Sequence, residues 1–179
     1  MKVTKQITIE ATAEKVWQIF AHDFDNAHLW MSSVPSSYGE KVGDHQEGSV
    51  SAGRVCELNG DPNGLKASES FLAFDEETKT CTVQVDLVNA PFILPIYKNI
   101  LDFSVTDIGL DTGAPQALVT WEVTPHLKPL ANLVAPLVKF GLGLLMSQIT
   151  EELKFFAENG TPHPRKLKSI SNLEPATNE

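Results

Sequence analysis

Residues 129–159, PLANLVAPLVKFGLGLLMSQITEELKFFAEN, form a long apolar stretch near the end of the chain and decide its fold. Apolar residues recur there at spacings of three and four, which predicts a helix. Pro136 has no backbone N–H, so we expect a kink or a broken first segment there, whereas Gly160 is suited to end the helix. A lysine, a proline and two glycines interrupt the apolar run, so we interpret it as a buried helix and predict no membrane-spanning segment.

The region before this helix, residues 36–124, has an apolar period of two and recurrent turn signals, which are typical of an antiparallel meander. A strand over residues 2–11 and two short helices precede it. We therefore predict an α+β fold in which a curved, seven-stranded antiparallel sheet surrounds the long helix and leaves a cavity beside it. The six predicted meander strands cover residues 36–42, 49–58, 64–74, 80–88, 97–108 and 116–124.

Length and composition favour one globular domain. The chain has 179 residues, of which 42% are hydrophobic, so it can fold without a disulfide or a metal. We predict a domain over residues 1–159 and a disordered, polar tail over residues 160–179. The net charge of −9 disfavours nucleic-acid binding. The two cysteines suggest no zinc site or disulfide scaffold, and the N-terminus lacks a signal peptide, so we expect no metal or cofactor and a cytoplasmic location.

Two charged residues interrupt otherwise apolar strand faces. Arg54 alternates with Ala52 and Cys56, and Glu69 alternates with Ala67 and Phe71. A symmetric hairpin about the turn at residues 59–64 places Arg54 opposite Glu69, close enough for an ion pair. The pair is then either structural or on the solvated face, or it lies in the cavity and orients a ligand.

A series of short motifs resembles the START-like (SRPBCC) superfamily, and most of all its polyketide cyclase/dehydrase-like branch. The opening residues 15–20, KVWQIF, are followed by Asp23-Phe24, Trp30 and Val34. The resemblance implies a helix-grip fold with a hydrophobic cavity, and it implies that Glu69 and Tyr97 face that cavity. The later motifs, in matching order, are Gly53-Arg54, residues 69–76, Tyr97-Lys98-Asn99 and Val119-Thr120-Trp121.

These observations predict that the protein binds a hydrophobic small molecule or lipid between the sheet and the long helix. Two alternatives stay open: a cofactor-free enzyme of the cyclase or dehydratase type with Glu69 as its acid and base, and a protein-interaction module without a ligand. Hormone sensing, which occurs in the superfamily, is disfavoured because residues 59–64 replace the receptors' gate loop. The candidate ligand-binding residues are Arg54, Glu69, Tyr97, Asn99, Trp30, Phe71, Leu137, Gly141, Leu144 and Leu145.

Overall fold

Seven antiparallel strands form one curved sheet in the computed structural model, which describes residues 1–40, 45–61, 63–109, 113–129 and 131–171. The strand order is β1-β7-β6-β5-β4-β3-β2, so the six later strands form a meander and β1 pairs with the last of them. The predicted fold class is confirmed. The strands are β1 (Val3–Ile9), β2 (Ser36–Gly39), β3 (Gly53–Glu57), β4 (Lys66–Asp75), β5 (Thr80–Val88), β6 (Ile96–Asp107) and β7 (Ala117–Leu127).

Short helices follow β1, in agreement with the sequence. Helix α1 (Ala13–Trp17) begins after Thr12, whose hydroxyl accepts a hydrogen bond from the Lys15 backbone N–H at 3.2 Å. Such a cap satisfies one of the free N–H groups of the first turn. A π-helical turn (Gln18–His22) and a 3-10 segment (Phe24–Leu29) complete this part of the chain. Residues 41 and 42 of the second predicted strand, and residue 62 of the predicted turn, lie outside the described residues.

The long helix is broken near its start, as Pro136 predicts. A 3-10 turn (Ala131–Val134) precedes helix α2 (Ala135–Asn159), so Pro136 occupies the first turn, where its missing N–H has no partner to lose. Gly160 ends α2 with a φ of 69°, a left-handed conformation that glycine adopts easily. The C-terminal half of α2 packs on β1 and buries Leu153 and Ala157.

The N-terminal half of α2 corrects the interpretation of a buried helix. Residues 131–159 are long and apolar enough to cross a membrane, which by itself is weak evidence for a membrane span. Only 22% of the most apolar 18-residue stretch of this helix is buried in the fold. Leu137, for example, is 71% exposed. The helical period identified the helix, but apolar residues occur on both sides of its first half, so the period did not show which side is buried.

A third helix, α3 (Pro164–Ser171), shows that the predicted disorder of the tail is wrong over those residues. The Lys166 ammonium is buried and donates a hydrogen bond to the Val34 carbonyl at 2.8 Å. The Ser169 hydroxyl donates to the Ser32 carbonyl at 3.0 Å. Polar side chains therefore attach α3, and for that reason the sequence shows no apolar period there. Residues 172–179 of the predicted tail lie outside the described residues.

Candidate functional site

An apolar cavity of about 170 Å³ lies between the inner face of the sheet and α2. Its walls come from three parts of the fold: strands β3 to β7, the middle of α2, and the segment that follows the 3-10 segment Phe24–Leu29. Five side chains on the wall have polar atoms, and the other twelve are apolar. The polar side chains are Ser33, Arg54, Glu69, Asn99 and Trp121, and the apolar ones are Met31, Val34, Leu58, Ala67, Val85, Leu87, Leu101, Val123, Leu142, Leu145, Met146 and Ile149.

Arg54 and Glu69 form a buried ion pair on this wall. The β3–β4 register places the two residues opposite each other, which confirms the predicted hairpin pairing. Glu69 Oε2 lies 2.9 Å from Arg54 Nε and 2.7 Å from a terminal guanidinium nitrogen, and the two side chains are only 3% and 11% exposed. Burial alone would lower the pKa of Arg54, but the Glu69 carboxylate outweighs this effect and the pKa is raised. The pair therefore lies on the inner face of the sheet rather than on its solvated face.

Phe24 holds the guanidinium of Arg54 in place from the helical side. Another Arg54 nitrogen donates a hydrogen bond to the Phe24 carbonyl at 2.7 Å. The guanidinium carbon also lies 3.9 Å from the centre of the Phe24 ring, a distance typical of a cation–π contact. Phe24, the second residue of the Asp23-Phe24 motif, thus fixes the orientation of the ion pair.

Two further polar groups on the wall have no hydrogen-bond partner. Among the buried side-chain atoms that the structure describes, Asn99 Oδ1 and Trp121 Nε1 are the two without one. Strand pairing aligns Asn99 through Val85 with Glu69, so the amide and the ion pair share one row across the sheet. Trp121 pairs with Phe103, which is two inward-facing positions further along β6. The two groups therefore lie at different positions along the cavity wall.

Tyr97 lies outside the cavity, which corrects the expectation from both the strand pattern and the resemblance. The pairing of β6 with β7 shifts between Ile96 and Lys98, so Tyr97 is the extra residue of a β-bulge. Ile96 takes the buried position instead, while the Tyr97 side chain is 47% exposed and its ring lies 6.2 Å from that of His126. A bulge changes the alternation of faces, and the sequence period of two did not reveal it.

Of the four candidate residues on the long helix, Leu145 lines the cavity. Leu137, Gly141 and Leu144 are exposed and are not part of the cavity wall, which corrects the prediction that they line the cavity. A side chain added at Gly141 would meet no atom within 4 Å, so this glycine does not widen the cavity. The helix presents another stripe to the cavity, made of Leu142, Leu145, Met146 and Ile149.

Trp30 and Phe71 are buried in the core and do not line the cavity, which also corrects the prediction. The Phe71 ring packs against Phe24 at 4.4 Å between centroids. The tryptophan on the wall is Trp121, which is not among the candidate ligand-binding residues because its alternation with Val119 and Val123 is typical of a core position. That same alternation places it on the inner face of β7, and this was the available signal.

Both cysteines of the chain are buried. Burial raises the pKa of Cys56 and Cys81 to about 12, so both thiols stay protonated at neutral pH and are poor nucleophiles. Within the described ranges, His, Cys, Asp and Glu form no group of three that could hold a metal ion. The chemistry available on the cavity wall is hydrogen bonding and charge.

A family model described as "polyketide cyclase / dehydrase and lipid transport" matches residues 1–155. The chain belongs to this family. The motifs that carried the resemblance lie within the matched residues, and the family is known for binding hydrophobic ligands. No curated protein sequence matches the chain.

Solved structures show that this member of the polyketide cyclase/dehydrase and lipid transport family shares its fold with distant proteins. A START superfamily protein from Mycobacterium smegmatis has a TM-score of 0.68 and 14% identity, and the match covers 89% of this chain and 99% of that one. A major latex-like protein from Panax ginseng has a TM-score of 0.59 and 16% identity, with 86% and 95% covered. An uncharacterised protein from Bacillus thuringiensis has a TM-score of 0.58 and 22% identity, with 86% and 96% covered.

Proposed function

We propose that the protein binds a hydrophobic small molecule or lipid that carries a hydroxyl or carbonyl group, and that it does so in the cavity between the sheet and α2. The observation that carries this proposal is the pair of unpartnered polar atoms, Asn99 Oδ1 and Trp121 Nε1, on an apolar wall. A buried polar group without a partner costs about 1–3 kcal/mol. A ligand hydroxyl that donates to Asn99, or a ligand oxygen that accepts from Trp121, recovers that free energy.

The size of the cavity supports a ligand whose buried part is small. Its volume of about 170 Å³ is close to that of an engineered lysozyme cavity of about 150 Å³ that binds benzene. One ring or a short chain therefore fits between the sheet and α2. A longer lipid would extend past Leu145, which lines the cavity and is also partly exposed.

The geometry of the ion pair supports a role in binding. Glu69 Oε2 accepts hydrogen bonds from two nitrogens of Arg54, and these charge-assisted bonds hold the carboxylate in one orientation. A carboxylate held in this way orients a ligand or accepts a hydrogen bond from it. The enzymatic alternative requires Glu69 as acid and base, and Glu69→Gln would then abolish turnover while ligand binding persists.

The test compares 4-ethylphenol with ethyltoluene, a hydrocarbon of similar size, by isothermal titration calorimetry and thermal shift. We expect the phenol to bind the wild type at least about tenfold more tightly, since one hydrogen bond in a buried site is worth about that much. Asn99→Leu and Trp121→Phe should each reduce this preference. Trp30→Phe is the matched control, because it makes the same change in a buried tryptophan that does not line the cavity.

Native mass spectrometry of the purified protein provides a second, independent readout. A stoichiometric apolar passenger would support the proposal and identify the ligand class. If no passenger is present, and if neither the phenol nor a panel of fatty acids and polyketides raises the melting temperature, the proposal is wrong.

A further inference from the structure

A large apolar surface lies outside the cavity. Phe92 and Ile93, in the loop between β5 and β6, are 95% and 90% exposed. Leu133, Leu137, Phe140 and Leu144 are also exposed, and their spacing of four, three and four residues puts them in one stripe on the outer side of α2 and its preceding turn. Exposed apolar surface of this extent marks an interaction site. We call it the apolar platform, and its six residues are Phe92, Ile93, Leu133, Leu137, Phe140 and Leu144.

The loop of the apolar platform and the 3-10 turn before α2 border one groove. A groove of about 460 Å³ joins them, lined by residues 92–95 on one side and by Ala131 and Val134 on the other. Lys128 fixes the loop, because its ammonium donates a hydrogen bond to the Phe92 carbonyl at 3.0 Å and lies 5.4 Å from the Phe92 ring centre. Leu145 lines the cavity and is itself 39% exposed, so the side of α2 that closes the cavity also reaches solvent.

The sequence segments that supply the apolar platform carry charges of the opposite sign to the net charge of the chain. The net charge is −9, yet residues 87–101 and 123–150 contain no aspartate or glutamate. Their charged residues are Lys98, Lys128 and Lys139. All 23 acidic residues lie elsewhere in the sequence. The platform is thus an apolar surface supplied by basic segments of an acidic protein.

We propose that the apolar platform docks on the surface of an anionic lipid bilayer. In this arrangement Phe92, Ile93 and the outer stripe of α2 enter the interface between headgroups and acyl chains, while lysines lie near the anionic headgroups. The acidic remainder of the molecule is repelled, which orients the protein with the cavity close to the bilayer. A second copy of the chain fits less well, because a symmetric contact through this face would bring the same basic segments together.

The test is flotation of the full chain with two kinds of vesicle: phosphatidylcholine alone, and two parts phosphatidylcholine to one part phosphatidylglycerol. We expect binding to the anionic vesicles, and we expect high salt to weaken it. Phe92→Ser/Ile93→Ser should lower the partition coefficient by more than about tenfold, since two large apolar side chains no longer leave water. Lys139→Gln should lower it by about fivefold. Leu72→Ser is the control, because Leu72 is an exposed apolar residue of β4 outside the platform.

Three results would overturn the proposal: no binding to either vesicle, equal binding to both, or a loss with Leu72→Ser as large as with the double variant. Sedimentation equilibrium tests the competing occupant, and a dimer that Phe92→Ser/Ile93→Ser dissociates would show that a second copy covers the platform. None of the substituted residues lines the cavity. Failure of membrane docking and failure of ligand binding are therefore separate results.

Discussion

At the scale of single residues, the stability of the fold depends on the Arg54–Glu69 pair staying complete. Both side chains are nearly inaccessible, and Arg54 is also held by the Phe24 carbonyl. Arg54→Met leaves the Glu69 carboxylate buried without its partner, so we expect it to lower the free energy of unfolding by about 3–5 kcal/mol. Urea denaturation followed by circular dichroism measures this change.

The double variant Arg54→Met/Glu69→Leu is the control for this prediction. It removes both charges together, so it should be clearly more stable than Arg54→Met alone. A loss below about 1 kcal/mol in the single variant would instead place the pair in contact with water, as for a surface ion pair.

The sequence predicted the positions of some residues of the site correctly and those of others not. Arg54 and Glu69 could be paired because a symmetric hairpin fixes which residues face each other, and the observed register agrees. Tyr97 could not be placed correctly, since the β-bulge beside Ile96 depends on the pairing of two distant strands. The role of Trp121 depends on its unpartnered Nε1, which is a property of the packed structure and not of the sequence.

At the scale of elements, a buried carboxylate ties α3 and the cavity wall to α2. Glu152 is fully buried in α2 and accepts hydrogen bonds from the Ser32 backbone and hydroxyl at 2.9 and 2.5 Å. Arg165 of α3 donates to it at 3.0 Å. Glu152→Gln replaces one acceptor oxygen with a donor, so we expect it to lower the free energy of unfolding by about 1–3 kcal/mol.

The neighbouring residue provides a matched control for this prediction. Glu151 contacts the same Arg165 at 3.1 Å, but its side chain is 58% exposed. Glu151→Gln should therefore change the free energy of unfolding by less than about 0.5 kcal/mol in urea denaturation. Equal effects of the two substitutions would show that the contact with Arg165, rather than the burial of Glu152 against Ser32, carries the stability.

Elements with a strong period were predictable, and elements held by polar contacts were not. The alternation of the strands and the length of α2 follow from side chains that must leave water, and such side chains are visible in a sequence. Helix α3 is attached by Lys166 and Ser169 to backbone carbonyls of the segment near residue 32. Those acceptors carry no side-chain signature, so nothing in the tail indicated a packed helix.

At the scale of the whole molecule, α2 serves two surfaces at once. One side of the helix, with Leu142, Leu145 and Met146, closes the cavity, and the other side carries most of the apolar platform. The helix therefore has more apolar residues than packing against one core requires. These additional apolar residues are the reason that the sequence indicated a buried helix. Ligand binding and membrane docking use different side chains of one element, so substitutions should separate them.

Filling the cavity tests this separation. Ala67 is buried on the cavity wall, and Ala67→Leu places three additional carbons in the empty volume. We expect the free energy of unfolding to rise by about 1–2 kcal/mol, because more apolar surface leaves water. Affinity for the phenol should fall, while partition onto anionic vesicles stays at the wild-type value. Calorimetry, urea denaturation and flotation of the same preparation measure the three quantities.

A core alanine away from the cavity shows whether the effect of Ala67→Leu comes from the empty volume. Ala117 is fully buried where β7 pairs with β1 and does not line the cavity, so Ala117→Leu should overpack the core and cost about 1–3 kcal/mol. Phe92→Ser/Ile93→Ser should show the reverse of the Ala67→Leu pattern, with weak vesicle binding and unchanged phenol affinity. If Ala67→Leu weakens vesicle binding as strongly as the platform variant does, the two sides of α2 act as one site, and the ligand itself forms part of the contact with the membrane.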